Sequence, residues 1–152
     1  MDRLNEMKRI MDDPIYFAEK YYYITTIDEG THLIKVYPKQ AEMINAMCRK
    51  NRTIVLSARQ TGKSTSYAIF ALWYILTNKE KTILICANKF KTAMEILSRI
   101  QMAYQELPNW LKPRNRRMEQ RRYRFRQRMQ DNSRSYVWQF RTWSINISFS
   151  VR

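Results

Sequence analysis

An α/β fold with a parallel sheet is predicted for residues 1–113, on three observations. Two short apolar runs, "TIVL" and "ILIC", have the length and β-branched content of buried strands. Each is followed by a stretch with helical spacing, and the links between them are short. Strand, helix, strand, helix in that order is a βαβ pattern. At 152 residues the chain has room for one modest domain with a core. Its 45% hydrophobic content is ordinary for a globular protein, so wholesale disorder is not expected.

The elements follow in order. "MDRLNEMKRIMDD" sets Leu4, Met7, Ile10 and Met11 at helical spacing and lacks the apolar core of a secretory signal. "DPIYFAEKYYYI" opens with an Asp-Pro start signal and reads as a short aromatic helix. Its tyrosines 21–23 suit core packing, with base stacking as the alternative. "TTIDEGTHLIKV" reads as a turn and an extended passage, with Gly30 in the turn. "YPKQAEMINAMCRKN" is a helix with Pro38 in its first turn and Met43 and Met47 on one face. "RTIVLS" is expected as a buried strand, residues 62–77 as a buried helix, and "TILICAN" as a second buried strand. "KFKTAMEILSRIQMAYQEL" is amphipathic, with Ala93, Ile96, Leu97, Ile100 and Ala103 inward, and "PNWLKP" ends it.

Several function classes drop out. No stretch approaches the roughly 18 apolar residues of a membrane span. His32 is the only histidine, and one histidine assembles no usual metal set. Cys48 and Cys86 lie in apolar context without metal-ligand spacing and read as reduced core thiols of an intracellular protein.

"SARQTGKST", residues 57–65, stands at the first strand-to-helix junction. A phosphate loop needs an anchoring strand, inward backbone N–H groups and the partial positive charge of a helix N-terminus. The chain holds two glycines, and Gly62 occupies the place where such a loop needs one. Lys63 is positioned to reach β- and γ-phosphates, and the Ser64 hydroxyl to take a place on Mg²⁺. Ser57 stands where the pattern G-x-x-x-x-G-K-[ST] has its first glycine. The nucleotide-binding set is therefore Ser57, Ala58, Arg59, Gln60, Thr61, Gly62, Lys63, Ser64 and Thr65, with ATP and Mg²⁺ as cofactors.

This loop resembles the variant Walker A of tailed-phage large terminase subunits, the ATPase motors that package DNA. The likeness spans residues 14 to 113 through five blocks in order: "DPIYFAEKYYYI", "VYPKQAEMI", "IVLSARQTGKST", "ILICANK" and "ELPNWLKP". It implies a P-loop NTPase, here the N-terminal part of an ATPase domain, incomplete in this chain. It also implies that Tyr37 and Gln40, in the "YPxQ" block, contact the nucleotide, Gln40 at the adenine edge. Arg59 maps to the family's loop arginine, acting in cis on the γ-phosphate as an arginine finger; a guanidinium forks well onto phosphate oxygens. Plain attraction to ATP stays open for Arg59, and a surface helix role for Gln40. The implied partners are double-stranded DNA, a portal protein and a small terminase subunit, with no membrane, in the cytoplasm of an infected bacterial host.

Residues 114–152 depart from the pattern. Of the net charge of +15, residues 1–113 contribute 17 Lys+Arg against 11 Asp+Glu; the remainder carries 11 Arg, no Lys, and two acids, Glu119 and Asp131. Neither acid ends an apolar strand, where phosphoryl transfer needs an Mg²⁺ ligand. The family's nuclease domain has no counterpart either, so nucleotide binding is expected without efficient hydrolysis. A basic arm gripping phosphates is one reading of the tail. The other is out-of-frame translation of a non-native, poorly ordered segment. Every arginine codon has G in the middle, so a shift of one base converts each arginine to Gly, Asp, Glu, Ala or Val. Met118-Glu119 becomes a forced Trp, and permissible codons turn residues 114–128 into "GIEEWNKGDIVFGNG", a turn-rich strand text. A helicase-like P-loop ATPase and a non-catalytic basic nucleic-acid-binding protein are the rival functions. Sequencing the gene tests the tail: the frame one base later is expected to run open past Pro113 with "EWNKG"-like text. A stop codon within its first few positions would make the basic arm the better account.

Overall fold

Helix starts in this chain are set by proline and by capping side chains. The computed structural model describes residues 3–26, 30–50, 52–78, 81, 83–87, 90–112 and 138–139. α1 (Arg3–Asp12) runs to Asp13, whose carboxylate accepts from the Ile15 and Tyr16 N–H groups at 2.8 and 3.1 Å. That cap and Pro14 at the first helical position start α2 (Pro14–Tyr21). β1 (Tyr23–Thr26) pairs antiparallel with β2 (Gly30–Leu33), in register from Tyr23 opposite Leu33 to Thr26 opposite Gly30. α3 (Pro38–Arg49) starts on Pro38, and α4 (Lys63–Thr77) on Gly62. β3 (Leu84–Ile85) precedes α5 (Phe90–Glu106), and β4 (Trp138–Gln139) pairs antiparallel with β3.

α4 is the packing centre, against α2, α3 and α5. Its apolar run buries Ala68, Ile69, Phe70, Ala71 and Leu72. Around them sit Ile10, Phe17, Tyr22, Ile44 and Met47 on one side and Ile100, Ala103, Leu107 and Leu111 on the other. Trp73 donates its indole N–H to the Ile10 carbonyl at 2.6 Å, tying α4 to the end of α1. Tyr22 is 1% exposed, so the middle tyrosine of the trio is a core residue.

Two expectations, the buried strand at residues 52–57 and the core thiols, need correction. Residues 52–57 do not form a buried strand: the segment has no strand partner among the described residues, and Ile54 and Leu56 are 99% and 100% exposed. Val55 packs against the core and the Thr53 hydroxyl donates to the Ala46 carbonyl. A parallel-sheet strand is apolar throughout because both its faces are covered; here only one face is. No parallel sheet forms among the described residues, and both strand pairs are antiparallel. Leu4 and Met11 are exposed despite their helical spacing, and Cys48 is exposed while Cys86 is half-buried, so neither thiol is a core one. Residues 114–152, assigned above to the tail, lie outside the described residues except Trp138 and Gln139. Among the described residues, no helix is long and apolar enough to cross a membrane.

Glu6 joins α1 to α2. One carboxylate oxygen accepts from Lys20 Nζ at 2.8 Å, Tyr16 Oη at 2.9 Å and Tyr21 Oη at 2.7 Å. The Lys20 and tyrosine hydrogen bonds hold the Glu6 carboxyl down at about 2, well below its usual 4.5. Stability from this cluster is therefore complete above pH 4.5 and is lost as pH falls towards 2. The urea midpoint of the parent chain is expected to drop across that window more steeply than that of Glu6→Gln. Parallel acid limbs for the two proteins would show that this carboxylate does not anchor the helices.

Candidate functional site

The loop between the extended segment and α4 closes on itself through side chains the sequence places there. Ser57 and Thr61 share a hydroxyl–hydroxyl hydrogen bond at 3.0 Å, and Thr61 donates to the Ala58 carbonyl at 3.0 Å. Lys63 swings its ammonium back over the loop, donating to the Ser57 carbonyl at 3.1 Å and to the Ala58 carbonyl. Gln60 has a φ of 63° and Gly62 a φ of 78°, both in the left-handed region. Two such residues in three let the chain reverse and start a helix within a few positions.

Gly62 is the N-cap of α4. The first intrahelical bond runs from Ser66 N to Gly62 O at 2.9 Å, so the N–H groups of Lys63, Ser64 and Thr65 have no partner inside the helix. They open towards the loop, together with the positive end of a 15-residue helix. The Ser66 hydroxyl, fully buried, also donates to the Gly62 carbonyl at 3.2 Å. Sequence reasoning passed over Ser66; the signal was a hydroxyl inside an otherwise apolar helix.

Gln40 lies behind the loop. It is 6% exposed, its Oε1 accepts from the Tyr37 N–H at 3.0 Å, and its amide nitrogen abuts Gly62. Tyr37, the N-cap of α3, is 68% exposed, and its N–H meets Gln40, which abuts Gly62. Arg59 and Gln60 are exposed on the loop's crown, and Ser64 is half-buried in the first turn of α4. Thr65 Oγ1 accepts from Arg99 Nη1 at 3.2 Å, which brings that guanidinium to the flank of the loop. Arg99 was missed because it lies on the polar stripe of α5, which reads in sequence as a solvated face.

A cleft of about 260 Å³ opens beside Thr65, between β1 and α5, lined among others by Tyr23, Glu95, Ser98, Arg99 and Met102. No family model matches the chain. The site is thus characterised by its own chemistry: one lysine, two arginines and a helix N-terminus around a backbone turn, which suits an anion. Among the described residues no group of three His, Cys, Asp or Glu could hold a metal ion.

The contact between Gln40 and Gly62 can be measured. A Cβ at Gly62 would stand 2.1 Å from Gln40 Nε2, on a backbone with φ 78°. Gly62→Ala is expected to cost roughly 1–3 kcal/mol in urea denaturation. The cost should shrink in a Gln40→Ala background, where the clash is relieved. Equal costs in both backgrounds would rule the contact out.

Proposed function

We propose that the chain binds a nucleoside triphosphate with Mg²⁺ at residues 57–65, and that it is the N-terminal part of a phage large-terminase ATPase. The parent activity on this reading is ATP-driven packaging of double-stranded DNA, with a portal protein and a small terminase subunit as partners. The observation that carries the nucleotide reading is the Lys63 ammonium folded over the loop onto the Ser57 and Ala58 carbonyls, at the start of α4. A lysine held there lies within a side chain's swing of any phosphate resting on the loop. The terminase reading rests on the order of the five sequence blocks.

In this scheme the N–H groups of Lys63, Ser64 and Thr65 donate to phosphate oxygens. Lys63 exchanges its carbonyl partners for β- and γ-phosphate oxygens, a charge-assisted contact stronger than the neutral one it replaces. Ser64 holds Mg²⁺, which when bound neutralises charge on those oxygens. Arg59, exposed on the crown, needs no rearrangement of packed side chains to fork onto the γ-phosphate. Gln40 supports Gly62 from behind and keeps the turn in place.

The test is a calorimetric titration of the full chain with Mg-ADP. Lys63→Ala is expected to weaken binding at least about tenfold, or about 1.4 kcal/mol. Equal affinities for the parent chain and Lys63→Ala would refute the proposal.

A further inference from the structure

We infer that Arg99 is a positioning residue of the phosphate loop: through Thr65 it holds the first turn of α4 in the orientation a bound phosphate needs. The inference rests on the phosphate-loop reading. Thr65 is the third residue of α4, and its N–H is one of the three without a partner inside the helix. The N-cap, Gly62, makes no side-chain cap hydrogen bond. A first turn without one is the part of a helix that frays most readily. Here its anchors come from the neighbouring helices. Gln40 of α3 abuts Gly62 from behind, and Arg99 of α5 donates from Nη1 to Thr65 Oγ1 at 3.2 Å.

The direction Arg99 takes is what singles it out. Glu95 lies one turn earlier on α5, at the spacing where an exposed acid and base ordinarily pair along a helix. Both side chains are exposed, yet the ion pair found among the described residues is Lys20–Glu6. The Arg99 guanidinium reaches across to α4 instead, against the partial positive charge of a helix N-terminus. The hydroxyls of the first turn divide accordingly: Ser66 donates back to the Gly62 carbonyl, while Thr65 is held by α5. Leu97 and Ile100, on either side of Arg99, are buried, and α5 packs on α4, so the backbone that carries the guanidinium is itself fixed. On this assignment a phosphate meeting the N–H groups of residues 63–65 finds them already ordered, which lowers the entropic cost of binding.

Calorimetric titration of the full chain with Mg-ADP tests the assignment. Arg99→Met removes the donor and Thr65→Val the acceptor, and both leave every backbone N–H in place. Each is expected to weaken Mg-ADP about fivefold, the scale of one hydrogen bond's net contribution. The double variant is expected to bind as either single variant does, because both changes remove one contact. Thr65→Ser, which keeps the hydroxyl, is the rescue and is expected to bind as the parent does. Arg99 is exposed and Thr65 half-buried, so thermal midpoints close to the parent's are expected throughout. Parental affinity in Arg99→Met and Thr65→Val, with Lys63→Ala weakened, would show the contact to be structural only and overturn the inference. A loss confined to Arg99→Met would overturn it too, by placing the guanidinium on the ligand itself, as would a loss in Thr65→Ser equal to that in Thr65→Val. If Lys63→Ala binds as the parent does, the phosphate-loop reading falls and this inference falls with it.

Discussion

α4 can begin where it does only because Gly62 takes a φ of 78°, and the rest of the described structure is arranged around that helix. An L side chain at this position meets two obstacles at once: a left-handed backbone and the amide of Gln40. Gln40 is in turn fixed by the Tyr37 N–H, so the starts of α3 and α4 brace one another across a single contact. α4 then carries the core on its apolar sides, and Trp73 fastens it to α1 through the Ile10 carbonyl. One glycine thus couples the geometry of the loop to the packing of the helices. A change in the loop's turn alters where α4 starts, and with it the positions of Ala68, Ile69 and Leu72.

The electrostatics of the loop follow from the same constraint. Lys63 sits at the first helical position, where three N–H groups already lack partners, so its charge adds to the helix field rather than opposing it. A cation at a helix N-terminus is unfavourable by itself. The structure relieves this by turning the ammonium onto the Ser57 and Ala58 carbonyls. Arg59 lies exposed on the same loop and Arg99 reaches its flank, so positive charge accumulates with Glu95 the one acid lining the adjoining cleft. Such an arrangement is tolerable when an anion shares the site, and that is the physical ground for reading the loop as a phosphate binder.

Much of the helical framework was legible in the sequence, and the reasons are local. Asp13-Pro14 and Pro38 mark helix starts by backbone chemistry, and of the stripe Ala93, Ile96, Leu97, Ile100 and Ala103 all are buried as the spacing requires except Ile96, which is half-buried. The sheet was not legible in the same way. "TIVL" has the composition of a covered strand, but coverage belongs to neighbours, and residues 53–56 are covered on one face only. The site divides along the same line. The placement of Gly62 and Lys63 at the start of α4 follows from their spacing in one loop, whereas Arg99 meets Thr65 from 34 residues away and no local pattern marks that encounter. Glu6 is the sharpest case: a charged residue on a polar-looking helix is nearly covered because Tyr16, Lys20 and Tyr21 all converge on one oxygen.

The loop's self-satisfaction bears on affinity and on selectivity in opposite directions. Because Lys63 already has two carbonyl acceptors, a phosphate gains only the difference between a charge-assisted bond and the bonds it displaces. That difference is modest for a single oxygen. It grows when one ligand also engages the N–H groups of residues 63–65, since these are already oriented by α4 and cost no ordering on binding. If the loop binds phosphate as proposed, a lone phosphate, reaching part of this set, would be bound less well than a polyphosphate that spans it. On that reading the carbonyl-bound lysine would act as a filter, rejecting ligands that cannot replace what they displace. On the proposed reading, the length of the phosphate chain, rather than charge alone, is the property such a loop would distinguish.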